Sequence, residues 1–202
     1  MQTINIQDSD AANTIIASLD GDGVVVLPTD TLYGFSAELS SEDAYRRIAS
    51  IKGSDGARHF VHLAASVEMV ANYVEGWNGG IAGSLGAIWP ARLTAVLPSG
   101  TLVPEWVGTT IAFRVPDVPE LCRIIETLGQ PIISTSVNRA GERPAVSADQ
   151  IEDKFADDVD LIVTGEVDTR SKPSTIVTFV EQRPRVLRAG AYAWPAAAKP
   201  SN

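Results

Sequence analysis

The chain has 202 residues, with 16 Lys plus Arg against 25 Asp plus Glu, a formal charge of −9. Apolar residues make up 45% and charged residues 20%, which excludes a wholly disordered chain and is ordinary for a globular protein with a buried core. The longest uninterrupted aliphatic run, residues 24–27, is far short of the roughly 20 apolar residues that span a bilayer, so no membrane partner is expected. The acidic balance weighs against general affinity for nucleic-acid phosphates. The N-terminal MQTINIQDSD has no basic stretch ahead of an apolar run, and the single cysteine, Cys122, excludes an internal disulfide framework. A cytoplasmic location is expected.

Strand-like and helix-like segments alternate along the chain. Residues 8–19 carry Ile15, Ile16 and Leu19 at helical spacing, which predicts a helix. The turn signal Gly21-Asp22-Gly23 leads into VVVLP (24–28), a β-branched run expected as a buried strand. Ser41 opens a second helix, with Glu42 and Asp43 at its positive dipole end and Ile48 and Ile51 on its apolar face. Strand is expected at 59–64, helix at 66–74 with Ser66 as cap, and helix at 79–88, stopped by Pro90. Residues 93–97 and 110–115 pattern as strands, 119–128 as a helix with Gly129 past its end, and 131–134 as strand. A helix at 147–155 and strands at 160–163, 175–179 and 185–187 complete the set. This order predicts an α/β fold with one open sheet and flanking helices. One domain is expected over residues 1–192, followed by a short tail at 193–202.

Several common chemistries have no motif here. There is no G-x-x-x-x-G-K-[ST], no complete dinucleotide fingerprint and no G-x-S-x-G. His59 and His62 are the only histidines, and their spacing sends them to opposite faces of a strand. With one distant cysteine they make no zinc set, so no protein-held metal is expected. Cys122 lies among Leu121, Ile124 and Ile125 and reads as a buried inert thiol.

Four polar segments follow or end strands instead. PTDTLYG (28–34) sits where α/β sheets bind ligands, and equally fits a polar turn with a threonine cap. STSVN (134–138) offers three hydroxyls and an amide, suited to a helix cap or to an anion. Lys52 and Arg58 flank the glycine-containing loop KGSDGAR, which also fits a solvated charged loop. Arg114 sits amid Ile111, Phe113 and Val115, where a cation needs a specific anionic partner. Cations and hydroxyls without a nucleophile–base pair suit an anionic, phosphate-bearing substrate rather than a covalent hydrolase.

The series PTDTLYG, IKG…R, WPARLT, TIAFRVPD, STSVN-x-x-G, KPSTIV and RVLRAG, running from about Gly23 to Gly190, resembles the YrdC/Sua5 family of L-threonylcarbamoyladenylate synthases in its short, single-domain form. The resemblance implies one open, twisted mixed sheet with a large central cavity. It implies synthesis of threonylcarbamoyl-AMP from L-threonine, bicarbonate and ATP, with Mg²⁺ bridging the phosphates. A tRNA-modifying transferase complex would take the product. By the same resemblance, Thr31, Arg114, Ser134 and Ser174 fall on threonine-binding positions. Lys52, Arg58, Thr110, Ser136, Asn138 and Arg188 fall on ATP-binding positions, with Lys52, Ser136 and Asn138 closest to the chemistry. Two other readings stand beside it, a catalytically impaired paralogue and a protein that binds tRNA or double-stranded RNA in ribosome maturation.

Three departures from the family pattern matter. The family's K-x-R reads Lys52-Gly53-Ser54, its PGPLT reads Pro90-Ala91-Arg92-Leu93-Thr94, and its TSAN reads Thr135-Ser136-Val137-Asn138. His62 lies one residue out of register with a histidine that some relatives use near threonine. The first departure replaces a rigid bidentate cation by a hydroxyl. One charge-assisted contact is worth about 1.5–3 kcal/mol, or about ten- to hundredfold, and Ser54→Arg should recover part of that as faster threonine-dependent pyrophosphate release. If Arg58 or Arg92 already fills that role, Ser54→Arg will bring no gain and Arg58→Ala or Arg92→Ala will be the damaging change.

Overall fold

The computed structural model describes residues 2–53, 60–168, 172–181 and 184–195. The β-branched run at 24–27 is fully buried and forms β2 (Val25–Leu27) near the middle of the sheet. The other strands are β1 (Gln2–Asn5), β3 (Gly34–Glu38), β4 (Val61–Leu63), β5 (Leu93–Pro98), β6 (Thr110–Arg114), β7 (Ile132–Ser136), β8 (Leu161–Thr164), β9 (Thr175–Thr178) and β10 (Arg185–Arg188). These ten described strands make one mixed sheet in the order β1-β8-β2-β3-β7-β4-β6-β5-β9-β10.

Local chemistry sets the helices. α1 (Ala11–Asp20) buries Ile15 and Leu19. α2 (Glu42–Ile51) starts at Ser41, whose hydroxyl accepts from the Ala44 amide. Ser66 caps α3 (Val67–Ala71), and Asn78 caps α4 (Gly79–Gly86). α5 (Pro119–Leu128) begins with proline and ends at Gly129 in the left-handed conformation, with φ of 79°. Ser147 caps α6 (Ala148–Phe155).

Two layers of helix enclose one end of the sheet. On one face α2 and α6 bury Ile48, Ile51, Ile151 and Phe155 against Val24, Val26, Phe35 and Ile133. On the other, α1 and α5 bury Ile15, Leu19, Leu121 and Ile125 against Val25, Leu27, Leu63 and Ile132. A further cluster packs Val70 of α3 and Leu85 of α4 on Leu93, Leu97, Phe113 and Val177. Trp194, assigned to the tail on sequence, lies edge-on against Phe179 with ring centroids 5.9 Å apart.

Three strand readings are corrected. β1 was not expected, and neither was β3, a fully buried central strand whose sequence GFSAE has no β-branched run. β7 runs past the expected end at Ser134 through Ser136, so Thr135 and Ser136 are strand residues and not a helix cap or loop. Its antiparallel pairing with β3, from Glu38↔Ile132 to Gly34↔Ser136, carries the strand on past the apolar residues.

His62 on β4 is 2% exposed. One ring nitrogen, Nδ1, lies 3.3 Å from the Ala112 carbonyl, and Nε2 makes no hydrogen bond among the described residues. Burial holds its pKa down to about 4, against 6.5 for the free side chain. The native state therefore refuses a proton that the unfolded chain accepts. Stability is full above pH 6.5 and falls as pH drops toward 4, by about 3 kcal/mol from this residue alone. Urea unfolding from pH 7 to 4 should show that extra loss in the wild type and not in His62→Phe; parallel curves would contradict it.

Candidate functional site

Register brings the polar segments onto one sheet face. Ser36 pairs with Ser134, Ser134 with Val61, Val61 with Ala112, Ala112 with Val96, and Thr94 with Ile176. Directly paired residues point the same way, and alternate residues share a face. Gly34, Ser134, Ser136, Val61, Thr110, Ala112 and Arg114 therefore share one side. At the β2 end that side is covered by α1 and α5; toward β9 it carries a cavity of about 310 Å³. Sequence reasoning put the functional groups at strand ends. Arg114 is the last residue of β6, as expected, and Thr110 and Ser134 lie in their expected strands; Ser136, read as following its strand, is instead the last residue of β7.

Thr31, Arg114, Ser134, Ser136, Ser174 and Arg188 all line this cavity. Gly34 makes room in its wall, because a Cβ there would lie 2.6 Å from Ser134 Oγ. The loop after β2 is a hydroxyl turn. Thr29 Oγ1 donates to the Leu32 carbonyl at 2.7 Å and accepts from the Thr31 and Leu32 amides at 3.2 and 3.3 Å. Its proton being used, the 3.1 Å contact between the Thr29 and Thr31 hydroxyls has Thr31 as donor.

Arg114 is 5% exposed. Its Nη2 lies 3.3 Å from Asp30 Oδ1, and Nη1 reaches Thr31 Oγ1 at a long 3.4 Å. The anion its strand position demands is thus supplied in part by the chain, from the PTDT segment. Burial lowers its pKa from the usual arginine range; Asp30 opposes the shift, and Arg188 and Arg92 add to it. Burial also pushes the Cys122 thiol up to about 11, with Asp30 contributing, in keeping with an inert cysteine.

Lys52, Ser136 and Asn138 form a second group. Lys52 is 3% exposed, and its Nζ donates to the Ser136 carbonyl and Asn138 Oδ1, both at 2.7 Å. Ser136 Oγ donates to the same Oδ1 at 2.6 Å. Asn138 Nδ2 donates to the Arg139 and Glu142 carbonyls, which fixes the amide. Ser136 fronts the cavity, and Lys52 and Asn138 stand behind it. Its proton is committed to Asn138, and it accepts a long 3.4 Å contact from Lys52 Nζ, so the Ser136 hydroxyl has one further lone pair to offer as an acceptor.

Arg188 is anchored through Nη2 to the Ser174 carbonyl at 2.9 Å. Ser174 Oγ contacts Thr94 Oγ1 at 2.8 Å, and Thr94 is fully buried. Arg92 pairs with Asp168 at 3.3 Å. Arg58, expected to face phosphate, and Ser54 lie outside the described residues. Sequence reasoning missed Asp30 and Thr94 as site residues. Both sit inside quoted motifs, and the signal for Asp30 was the unmet charge of Arg114 in an apolar strand.

Beside the polar cavity lies an apolar bay of about 330 Å³, which shares Phe60, Val61, Ile176 and Arg188 with it. Thr110 lines this bay, together with Tyr45, Val107 and Ile111. No carboxylate is among the residues lining either space, and no group of three or more His, Cys, Asp or Glu able to hold a metal occurs among the described residues.

Residues 17–190 match the family model Sua5/YciO/YrdC, described as "Telomere recombination". The chain is 32% identical over 174 residues to "Threonylcarbamoyl-AMP synthase" of Marinobacter nauticus, covering 84% of this chain and 90% of that protein. The protein of the same name from Halorhodospira halophila is 30% identical, with 87% and 90% covered. Among solved structures, "P. abyssi Sua5 complexed with L-threonine" superposes with a TM-score of 0.85 at 25% identity, covering 94% of this chain and 57% of that one. E. coli YciO gives 0.82 at 24% identity, with 93% of each chain covered, a likeness of fold. Matched over most of its length in sequence and fold, the chain belongs to the Sua5/YciO/YrdC family.

Proposed function

We propose that this chain makes threonylcarbamoyl-AMP from L-threonine, bicarbonate and ATP, releasing pyrophosphate, and that a tRNA-modifying transferase takes the product. One observation carries the reading. A polar compartment lined by the buried Arg114 and by hydroxyls that include Thr31, Ser134 and Ser174 adjoins an apolar bay, with Arg188 on the wall of both. A small zwitterion suits the first space and a flat heteroaromatic base the second. The phosphates would then lie between them, beside Arg188. The relatives named threonylcarbamoyl-AMP synthase and the threonine-bound neighbour support threonine and a nucleotide as the substrates.

Arg114 would hold the threonine carboxylate, and Thr31, Ser134 and Ser174 its amine and hydroxyl. The amine adds to bicarbonate with loss of water, giving N-carboxythreonine. Its new carboxylate attacks the α-phosphorus, a P–O bond forms, and the bond to the departing pyrophosphate breaks. The attacking carboxylate needs little activation, so the protein's task is positioning and charge neutralisation. Arg188 meets the phosphates. Thr110 meets the nucleoside side. Ser136, with one further lone pair to offer, suits a ribose hydroxyl, while the buried Lys52 supplies positive potential from behind it and Asn138 holds both in place. Mg²⁺ would enter on the triphosphate it accompanies, since the cavity walls offer no carboxylate ligands among the described residues, and no step here depends on it.

No helix among the described residues is long and apolar enough to cross a membrane, and we assign the activity to the cytoplasm. The charge of −9 disfavours the RNA-binding alternative.

Arg114→Lys keeps a charge opposite Asp30 but loses the planar fork. It should weaken threonine binding about ten- to hundredfold and leave ATP binding within about twofold, as read by calorimetry. Unchanged threonine affinity would make Arg114 a structural ion-pair partner only. The three hydroxyls should also make the site reject valine by about 10⁴-fold in kcat/KM, while serine loses only about 1–3 kcal/mol for the missing methyl. Valine turned over like threonine would remove Thr31, Ser134 and Ser174 from substrate recognition.

A further inference from the structure

Asp30 has an unusual set of partners for a carboxylate in a tight loop. Its side chain is 3% exposed, and neither oxygen accepts a hydrogen bond among the described residues. Aspartates in such loops ordinarily cap backbone amides. Here Thr29 Oγ1 has taken that duty, accepting from the Thr31 and Leu32 amides. What Asp30 touches is Arg114 Nη2, at 3.3 Å. A buried carboxylate is retained at this cost only where a charge answers it.

The arginine is equally incomplete. Nε makes no hydrogen bond among the described residues, and Nη1 has only the 3.4 Å contact to Thr31. Arg114 lines the cavity and Asp30 does not. The carboxylate therefore engages one end of the guanidinium from outside the cavity wall. It fixes the rotation of the planar group, leaving Nε–H without a hydrogen bond among the described residues and Nη1 with only its long contact to Thr31. Arg92 and Arg188 lie near enough for their charge to bear on Arg114, so without Asp30 the guanidinium would be repelled from its place as well as released from its orientation.

We propose that Asp30 is a positioning residue, which holds the Arg114 guanidinium in the orientation that receives the carboxylate of the amino-acid substrate. This rests on the assignment of Arg114 to that carboxylate. Asp30 touches no substrate and acts through Arg114. Its removal should cost recognition of the carboxylate group and spare the nucleotide.

The test is steady-state kinetics of Asp30→Asn, Asp30→Glu and Arg114→Lys, with L-threonine, ATP and L-threoninol, which lacks the carboxylate. The wild type should favour threonine over threoninol at least a hundredfold in kcat/KM. Asp30→Asn should raise the threonine KM tenfold or more, leave the ATP KM within about twofold, and shrink the threonine-to-threoninol preference by at least tenfold. Asp30→Glu, which keeps the charge, should recover part of that preference. The preference is a ratio within one variant, so a smaller folded fraction does not alter it. If Arg114→Lys weakens threonine and Asp30→Asn leaves the preference intact, Asp30 is a structural counter-ion and the positioning role is overturned. If Arg114→Lys leaves the threonine KM unchanged, the assignment of Arg114 itself has failed, and Asp30 falls with it.

Discussion

Burying a guanidinium inside a sheet costs several kcal/mol unless an anion answers it, and Arg114 is buried at the end of β6 with Asp30 as that anion. Much of the site depends on this arrangement. The loop after β2 must carry Asp30 to the end of a strand four places away in the sheet order. It does so with a threonine turn that consumes its own backbone amides. The cost is tolerable because the pair sits at the cavity wall, where a substrate can complete its hydrogen bonding.

The sheet order makes that meeting possible. β3, β7, β4 and β6 are spatial neighbours although they lie far apart along the chain. Their register stacks small and polar residues on one face and Phe35, Ile133, His62 and Phe113 on the other. The apolar face supplies cohesion through two of the helix-covered cores. The other face is divided between the core under α1 and α5 and the cavity. A water-poor cavity strengthens each charge contact within it and protects a mixed anhydride from hydrolysis.

Much of this was legible in the chain itself. α2 and α5 were readable because capping residue, apolar stripe and terminal glycine or acidic turn agree with one another at each. β3 was not, since GFSAE is short and has no β-branched residue; it is buried on both faces through strands on both sides, which no local pattern encodes. Ser134 and Ser136 were found as site residues, but Ser136 was placed past the strand, because two serines and a threonine resemble a cap until pairing with β3 is known. The polar motifs were visible as a set through the family resemblance. The division of labour among them was not. Lys52 turns to Ser136 and Asn138, and Asp30 to Arg114, and both depend on contacts between residues more than eighty positions apart.

The central claim is that this cavity joins an amino acid to a nucleotide through a carbamate. The most direct measurement is pyrophosphate release from ATP by the purified chain, with threonine and bicarbonate present or omitted one at a time and the nucleotide product weighed by mass spectrometry. The account predicts release that requires both co-substrates, with a product of the mass of threonylcarbamoyl-AMP. Release indifferent to threonine or bicarbonate, or a product of AMP alone, would contradict it.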